Sequence, residues 1–316
     1  MPVRGESVGS KQSAAGSGSL PAAHRSLPTV VLRGARLALG AALDLFWPPV
    51  CPGCGAGLEP GDAGMFCERC RSELPLVHGR TCVRCGTPLG AFESDHEGRW
   101  CADCGRMNLV FTRTATAGMH EGPLAEVIKA WKYAPRGSRA HLGRYLAGLI
   151  ADRLADPDCP VRSDGFDLIV PAPSHPSRVR ERGFDHTLEL ARHLGRLVGV
   201  PVETGNLAKL RATPQQAGLT RAERLRNLEG AFTVKRAGRL TGRRVLLLDD
   251  VITTAATAEE CARVLKAAGV REVWLAAVAR ATVGRVASGS VGNPAGDPEG
   301  CSRTEPERSP TEKGQP

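Results

Sequence analysis

The chain has 316 residues, of which 41% are hydrophobic, and its formal net charge is +9 at pH 7. A chain of this length can bury one sizeable core and still carry a smaller appended module, so we predict two ordered parts. Residues 178–244 hold fifteen Lys and Arg against six Asp and Glu, and this difference (15 − 6 = 9) accounts for the whole net charge. Such a basic stretch suits a polyanionic ligand, either pyrophosphate or a nucleic-acid backbone, although a solvated arginine-rich loop has the same composition.

The apolar segment from Val30 to Trp47 does not fit an export signal or a membrane span. Asp44 interrupts the apolar run, no small-residue cleavage site follows it, and the segment is too short and too charged to cross a bilayer. We therefore predict an amphipathic leader helix over residues 29–47 and a cytoplasmic protein without a membrane span. The ends, residues 1–28 and 284–316, have low-complexity composition and are predicted to be disordered.

Residues 48–110 contain four Cys-x-x-Cys pairs, little apolar mass and several Gly and Pro. Eight thiolates at this spacing make two tetrahedral zinc sites, and we expect the metal to replace the missing hydrophobic core. Pairing in sequence order has the lower loop-closure cost, but the spacing alone leaves an interleaved pairing open. The predicted zinc ligands are Cys51, Cys54, Cys67, Cys70, Cys82, Cys85, Cys101 and Cys104.

Residues 111–283 alternate between short apolar strands and amphipathic helices, which is typical of a parallel α/β sheet with helices on both faces. Ligands bind such sheets beyond the carboxyl ends of the strands. The predicted strands are Arg113 to Gly118, Phe166 to Val170, Arg244 to Leu248 and Glu272 to Ala279. The predicted helices are Pro123 to Tyr133, His141 to Leu154, His186 to Val198 and Thr257 to Ala268, with Cys261 in the core.

The run from Val245 to Thr257 carries the most specific chemistry of the chain. Asp249 and Asp250 are predicted to end a buried strand facing solvent, where carboxylates can accept hydrogen bonds from two vicinal hydroxyls. The threonines and the amides of the following helix can surround a phosphate monoester. Thr257 and Glu260 have the spacing of a capping box, although an ordinary capped helix would not explain two adjacent acids.

This run resembles the phosphoribosyl pyrophosphate loop of type I phosphoribosyltransferases. The resemblance implies that Asp249 and Asp250 bind the ribose hydroxyls and that Mg²⁺ accompanies the pyrophosphate. It departs from the family at one position, because Ala255 stands where the family has Gly, which compromises a positive φ or a close backbone approach. The implied cofactor-binding residues are Asp249, Asp250, Thr253, Thr254, Ala255 and Thr257.

Two basic segments resemble signatures of the ComF family. The first, Pro171 to His186, occupies the position of the pyrophosphate loop, and the second, Arg211 to Phe232, is similar to the mobile loop of amidophosphoribosyltransferases. Arginines there can meet phosphate oxygens in bidentate fashion when the loop closes. The candidate catalytic residues are Arg182, Arg221 and Arg224. We do not assign His175 or His186 as an acid or base, because fixed positive charge and Mg²⁺ can stabilise departing pyrophosphate.

The ComF resemblance extends from about Leu37 to Arg280 and implies a double zinc ribbon followed by a type I phosphoribosyltransferase-like domain. The ComF family is associated with competence, which makes single-stranded DNA and competence proteins further candidate partners. Two hypotheses remain. The chain transfers a phosphoribosyl group to an unidentified acceptor, which the acids and threonines favour, or it is a non-catalytic zinc-ribbon adaptor or DNA-binding protein, which Ala255 and the ribbons favour.

Overall fold

The computed structural model describes residues 49–58, 65–90, 100–105, 109–133, 136–213 and 221–281. The predicted leader helix and the predicted disordered ends lie outside these residues. The chain divides into two compact units, and the boundary falls between Arg71 and Ser72. The first four-cysteine group therefore belongs to one unit, and the second group belongs to the same unit as the parallel sheet.

In the described part of the larger unit, six strands form two sheets. Four of the strands form a parallel sheet in the order β1-β6-β5-β2, and β3 pairs with β4 in a separate antiparallel ribbon. This topology confirms the predicted α/β parallel sheet. The strands are β1 (Arg113–Met119), β2 (Leu168–Pro171), β3 (Leu207–Lys209), β4 (Phe232–Val234), β5 (Arg244–Ile252) and β6 (Glu272–Arg280).

Four α-helices of the described residues correspond to the helices that the apolar stripes predicted, and the one over His186–Val198 has the predicted bounds. Their apolar faces are buried; in the first long helix, for example, Leu124, Val127, Ile128 and Trp131 lie in the core. The helices are α1 (Glu68–Ser72), α2 (Ala102–Gly105), α3 (Gly122–Tyr133), α4 (Arg136–Ala155), α5 (Pro176–Arg182), α6 (His186–Val198), α7 (Arg221–Leu228) and α8 (Ala256–Ala267).

Strand β5 is longer than predicted, and the extension changes the position of the two acids. The prediction ended the strand at Leu248, but Val251 and Ile252 still pair with Ala279 and Arg280 of β6. The acids therefore lie inside a strand, where successive side chains point to opposite faces.

The two faces of β5 pack against different helices. Val245 and Leu247 belong to a core cluster with Cys261 and Leu265 of α8, which confirms Cys261 as a core residue. On the other face β5 contacts α6, and Leu246 and Leu248 are fully buried without belonging to the α8 cluster. The alternation places Asp249 on the α8 side of the sheet and Asp250 on the α6 side.

No helix in the described part of the chain is both long and apolar enough to cross a membrane.

Candidate functional site

The turn between β5 and α8 contains a residue in an unusual backbone conformation. Ala255 has φ 60° and ψ 11°, and it is the only non-glycine residue with a positive φ among the residues that the structure describes. The left-handed region costs a residue with a Cβ roughly 1 kcal/mol relative to glycine. Of the two features that an alanine at this position compromises, a positive φ and a close backbone approach, the structure has the positive φ, and the Cβ of Ala255 strains the turn.

Helix α8 begins without the capping box that the sequence predicts. Ala255 occupies the N-cap position and makes no side-chain cap hydrogen bond. Glu260 instead accepts a hydrogen bond from the Gly230 amide at 3.0 Å and pairs with Arg263. The capping-box prediction is wrong because the left-handed Ala255 moves the start of the helix to Ala256. The N-cap side chain therefore offers no acceptor to the first-turn amides of α8.

Asp250 is buried and neutralised from within the chain. Its Oδ2 forms an ion pair with Lys132 of α3 and lies 3.3 Å from His186 Nε2. Burial alone raises a carboxyl pKa, but the positive charge of Lys132 and the hydrogen bond from His186 hold the pKa of Asp250 well below its usual range. The expectation that Asp250 faces solvent is therefore wrong, because the pleat of β5 turns its side chain toward α3 and α6.

Asp249 lies in the opposite environment. Its Oδ1 accepts a hydrogen bond from the Asp250 amide at 2.9 Å, and its side chain is partly buried. Burial and the neighbouring charge of Asp250 raise the pKa of the Asp249 carboxyl to about 7. Adjacent carboxyls thus differ in protonation near neutral pH, and Asp250 is the permanently charged one.

Arg182 reaches this cluster through His186. Arg182 Nη1 lies 3.3 Å from His186 Nδ1, while His186 Nε2 faces Asp250. Because arginine can only donate, Nδ1 acts as the acceptor and the proton of the neutral imidazole is on Nε2. The Trp131 ring packs edge-on against His186 with 5.7 Å between ring centroids and fixes its orientation. The structure therefore brings predicted residue Arg182 to the end of β5.

Arg224 approaches the turn from helix α7. Its Nη1 donates to Thr253 Oγ1 at 3.0 Å, so one predicted arginine contacts one predicted threonine. Thr253 is exposed and Thr254 is buried, whereas Thr257 lies in the first turn of α8 and is partly exposed. Arg221 begins α7, but its side chain is not among those described.

Lys132 is the functional candidate that sequence reasoning missed. It is the only basic residue in the last turn of α3, directly after the buried Trp131. Its partner Asp250 is 118 positions away in the sequence, so no local pattern links the two residues. The only local signal was a lysine next to the apolar face of a predicted helix.

The eight predicted cysteines form two groups. Within each group all Sγ atoms lie within 4.8 Å of one another, and the groups follow the sequence order. The Sγ atoms of Cys54 and Cys67 are 3.7 Å apart, and those of Cys85 and Cys101 are 3.8 Å apart. A tetrahedral zinc ion with Zn–S bonds of about 2.3 Å requires sulfur atoms about 3.8 Å apart. The cysteines therefore fit two structural zinc ions, and the sequential pairing is confirmed.

A family model described as "Double zinc ribbon domain" matches residues 42–105. Similar proteins include Competence protein F of Haemophilus influenzae, which is 26% identical over 68% of this chain and 96% of its own length. The DNA utilization protein YhgH of Escherichia coli K12 is 29% identical over 72% of this chain and 96% of its own length. Competence protein ComFC of Bacillus subtilis is 28% identical over 66% and 82%.

Solved structures with partial similarity include a glutamine phosphoribosylpyrophosphate amidotransferase from B. subtilis. It is 20% identical, with a TM-score of 0.30 over 48% of this chain and 30% of that chain. A purine phosphoribosyltransferase from Pyrococcus horikoshii is 18% identical, with a TM-score of 0.28 over 43% and 70%. The similarities to Competence protein F and ComFC, together with the double zinc ribbon, confirm the resemblance to the ComF family that the two basic segments, Pro171 to His186 and Arg211 to Phe232, carry in the sequence.

Proposed function

We propose that the carboxyl end of β5 binds phosphoribosyl pyrophosphate and that the chain transfers the phosphoribosyl group to an acceptor. The observation that carries this proposal is the turn at Ala255. Two threonines there lie between a pair of strand acids and the start of a helix whose N-cap residue, Ala255, is left-handed and makes no side-chain cap hydrogen bond. Strain of this kind is retained where the surrounding structure and the function require the conformation.

The turn offers a phosphate monoester several donors. Thr253 and Thr257 present hydroxyls, the first turn of α8 presents amides, and Arg224 already lies against Thr253. An arginine adds charge-assisted hydrogen bonds to phosphate oxygens. We therefore assign the 5-phosphate of the ligand to this turn. We assign Arg224 to bind the phosphate from the solvent-exposed side of the turn, where it contacts Thr253.

The environments of Asp249 and Asp250 change the roles that we assign to the two acids. Asp250 is engaged with Lys132 and His186, so it is better suited to orient these two side chains than to accept ribose hydroxyls. Asp249 lies outside that ion pair, and we assign the ribose hydroxyls to it. Hydroxyl donors prefer a carboxylate, so binding opposes the raised pKa of Asp249 and should strengthen as the pH rises through 7.

Asp249 also fits a magnesium ion better than Asp250 does. Mg²⁺ takes oxygen ligands and is usually held by one or two carboxylates plus substrate phosphates and water. Asp250 is already neutralised by Lys132, so it does not fit as a direct ligand. When bound, Mg²⁺ would neutralise the charge of the pyrophosphate leaving group. Lys132 and Arg182 supply positive charge from the chain itself on the Asp250 side of β5.

The names of the relatives place them in competence and DNA utilization. We extend this context to the present chain, with single-stranded DNA and competence proteins as partners and a reducing cytoplasm as the location. The alternative is an adaptor that binds DNA without transferring a phosphoribosyl group, which the two four-cysteine groups favour. Charge reversal of Arg221 and Arg224 to Glu should then weaken DNA binding and make its salt dependence shallower. An unchanged salt slope would contradict the alternative.

The phosphate assignment is tested by ligand-induced stabilisation of Thr253→Val. At a ligand concentration of about 100 times the dissociation constant, the parent protein should gain about 2.7 kcal/mol of unfolding free energy. Thr253→Val should lose most of this gain, while Thr241→Val should keep it, because Thr241 donates to the Ala237 carbonyl away from the turn. Equal gains in all three proteins would show that the ligand binds elsewhere.

A further inference from the structure

The edge of the parallel sheet is covered by residues that lead into the second cysteine group. Strand β1 is an edge strand of the sheet, and Leu76 forms an antiparallel bridge with Gly118. The Val77 amide donates to the Ala117 carbonyl at 2.8 Å. An uncovered edge strand would expose unpaired amides and carbonyls, so this cover satisfies part of the β1 backbone.

The second cysteine group is fixed on β1 by threonine side chains. Thr114 Oγ1 donates to the Arg84 carbonyl at 2.6 Å, and Thr116 Oγ1 donates to the Gly86 carbonyl at 2.7 Å. A Cβ at Gly86 would come 2.9 Å from Thr116 Cγ2, so the turn that follows Cys85 packs closely against β1. The turn that presents Cys82 and Cys85 is thus built against the sheet.

A relay of two side chains, Arg280 and Thr87, connects the end of β6 to Cys85. Arg280, the last residue of β6, donates from Nε to Thr87 Oγ1 at 2.7 Å. Thr87 Oγ1 lies 3.2 Å from Cys85 Sγ. Because the guanidinium occupies a lone pair of the hydroxyl oxygen, the hydroxyl proton can point to the sulfur, and a zinc-bound thiolate accepts it. Among the described residues, the buried Nη1 of Arg280 has no hydrogen-bond partner.

We propose that Arg280 and Thr87 are positioning residues of the second zinc site. Thr87 donates to the Cys85 thiolate and fixes its orientation, and the guanidinium of Arg280 holds Thr87 and offsets part of the negative charge of four thiolates on one zinc ion. Hydrogen bonds from such outer partners orient ligands and typically change metal affinity 10- to 100-fold. Neither residue is a cysteine, so the Cys-x-x-Cys spacing does not reveal this role.

The relay also ties the zinc site to the ligand-binding edge of the sheet. The Arg280 carbonyl accepts from the His120 amide at 2.8 Å, and the Ala281 amide donates to the Ile252 carbonyl at 2.8 Å. Ile252 directly precedes Thr253. The second zinc ion therefore supports the strand ends next to the Ala255 turn, whether or not that turn binds phosphoribosyl pyrophosphate.

The test is the rate at which zinc passes from the protein to a chromogenic chelator. Arg280→Met and Thr87→Val should release one of the two zinc ions about ten-fold faster than the parent protein, while the other keeps the parent rate. Arg244→Met is the matched control, because Arg244 pairs with Asp167 at the opposite end of β5. It should release both zinc ions at the parent rate.

A second readout separates ligand positioning from loss of packing. In the cobalt-substituted protein, Thr87→Val should shift the sulfur-to-cobalt charge-transfer absorption, and Thr87→Ser should restore it, because serine keeps the hydroxyl. Unchanged release rates and absorption in Arg280→Met and Thr87→Val would overturn the proposal. So would faster release in Thr87→Ser equal to that in Thr87→Val, since the hydroxyl would then be irrelevant.

Discussion

Lys132 and Asp250 form an ion pair that joins the last turn of α3 to the carboxyl end of β5. The Asp250 side chain is only 10% exposed and that of Lys132 is 22% exposed. Removing one partner of a buried pair leaves an uncompensated charge, which is far more costly than replacing both. The pair therefore ties the helix to the strand and keeps an ammonium group at the candidate site.

Lys132→Met should lower the free energy of unfolding by about 3 kcal/mol, and adding Asp250→Asn should recover part of this loss. Urea denaturation of the single and double variants measures both effects. Lys129→Met is the control on the same helix, because its pair with Glu126 is exposed and should contribute less than about 1 kcal/mol. Additive losses in the double variant would show that the two residues do not interact.

Asp249→Asn should stabilise the protein more at high pH than at low pH. The Asp249 carboxyl has a pKa of about 7 in the folded state against an ordinary value of 3.8, so between these pH values the folded state holds a proton that the unfolded state has released. The free energy of unfolding of the parent therefore falls as the pH rises through this window. Asparagine cannot ionise, so the variant lacks this fall.

The gain of Asp249→Asn over the parent should grow by about 1 kcal/mol between pH 6 and pH 8. Urea denaturation at the two pH values measures it. Asp167→Asn serves as the control, because Arg244 lowers the pKa of Asp167. The stability that the ionised Asp167 contributes is lost only when the pH falls through this lowered pKa, so it does not change between pH 6 and pH 8. A gain that is the same at both pH values for Asp249→Asn would mean that Asp249 is ionised throughout.

Ala255→Gly should relieve the strain of the left-handed turn. Glycine adopts a φ of 60° without the Cβ penalty, so we expect a gain of about 1 kcal/mol in stability and a several-fold tighter affinity for phosphoribosyl pyrophosphate. Ala258→Gly, in the interior of α8, should instead lose about 1 kcal/mol. If both substitutions destabilise the protein equally, Ala255 is not strained.

The protein should contain two zinc ions per chain. Elemental analysis of protein purified without chelator should give a ratio of two, because each four-cysteine group has the sulfur spacing of a zinc site. Replacing Cys82 and Cys85 with Ser should reduce the ratio to one, and so should replacing Cys51 and Cys54. A ratio of one in the parent protein would show that one group does not bind metal.

The sequence predicted the elements whose causes are local. The apolar stripe of α6 gave its exact bounds, and the Cys-x-x-Cys spacing gave both cysteine groups. The errors arose where distant residues decide the outcome. Pairing with β6 extends β5 past Leu248, and the Glu260 carboxylate binds Gly230 instead of capping its own helix.

The candidate site, like the fold, was predicted only where its causes are local. The turn at Ala255 was identified because its residues are contiguous, and its strain followed from one departure from a family pattern. The roles of the two acids were not separable, because the alternation of β5 matters only once Lys132 and His186 are placed beside Asp250. Residues that meet across the sheet leave no trace in a single sequence.

Titration calorimetry with phosphoribosyl pyrophosphate and Mg²⁺ tests the central claim most directly. The parent protein should bind the ligand, with an affinity that rises from pH 6 to pH 8 as Asp249 loses its proton. Asp249→Asn should bind at least about ten-fold more weakly, a loss of about 1.4 kcal/mol, and Asp167→Asn should bind like the parent. Absence of binding in the parent, or equal affinities of the parent and Asp249→Asn, would contradict the proposed site.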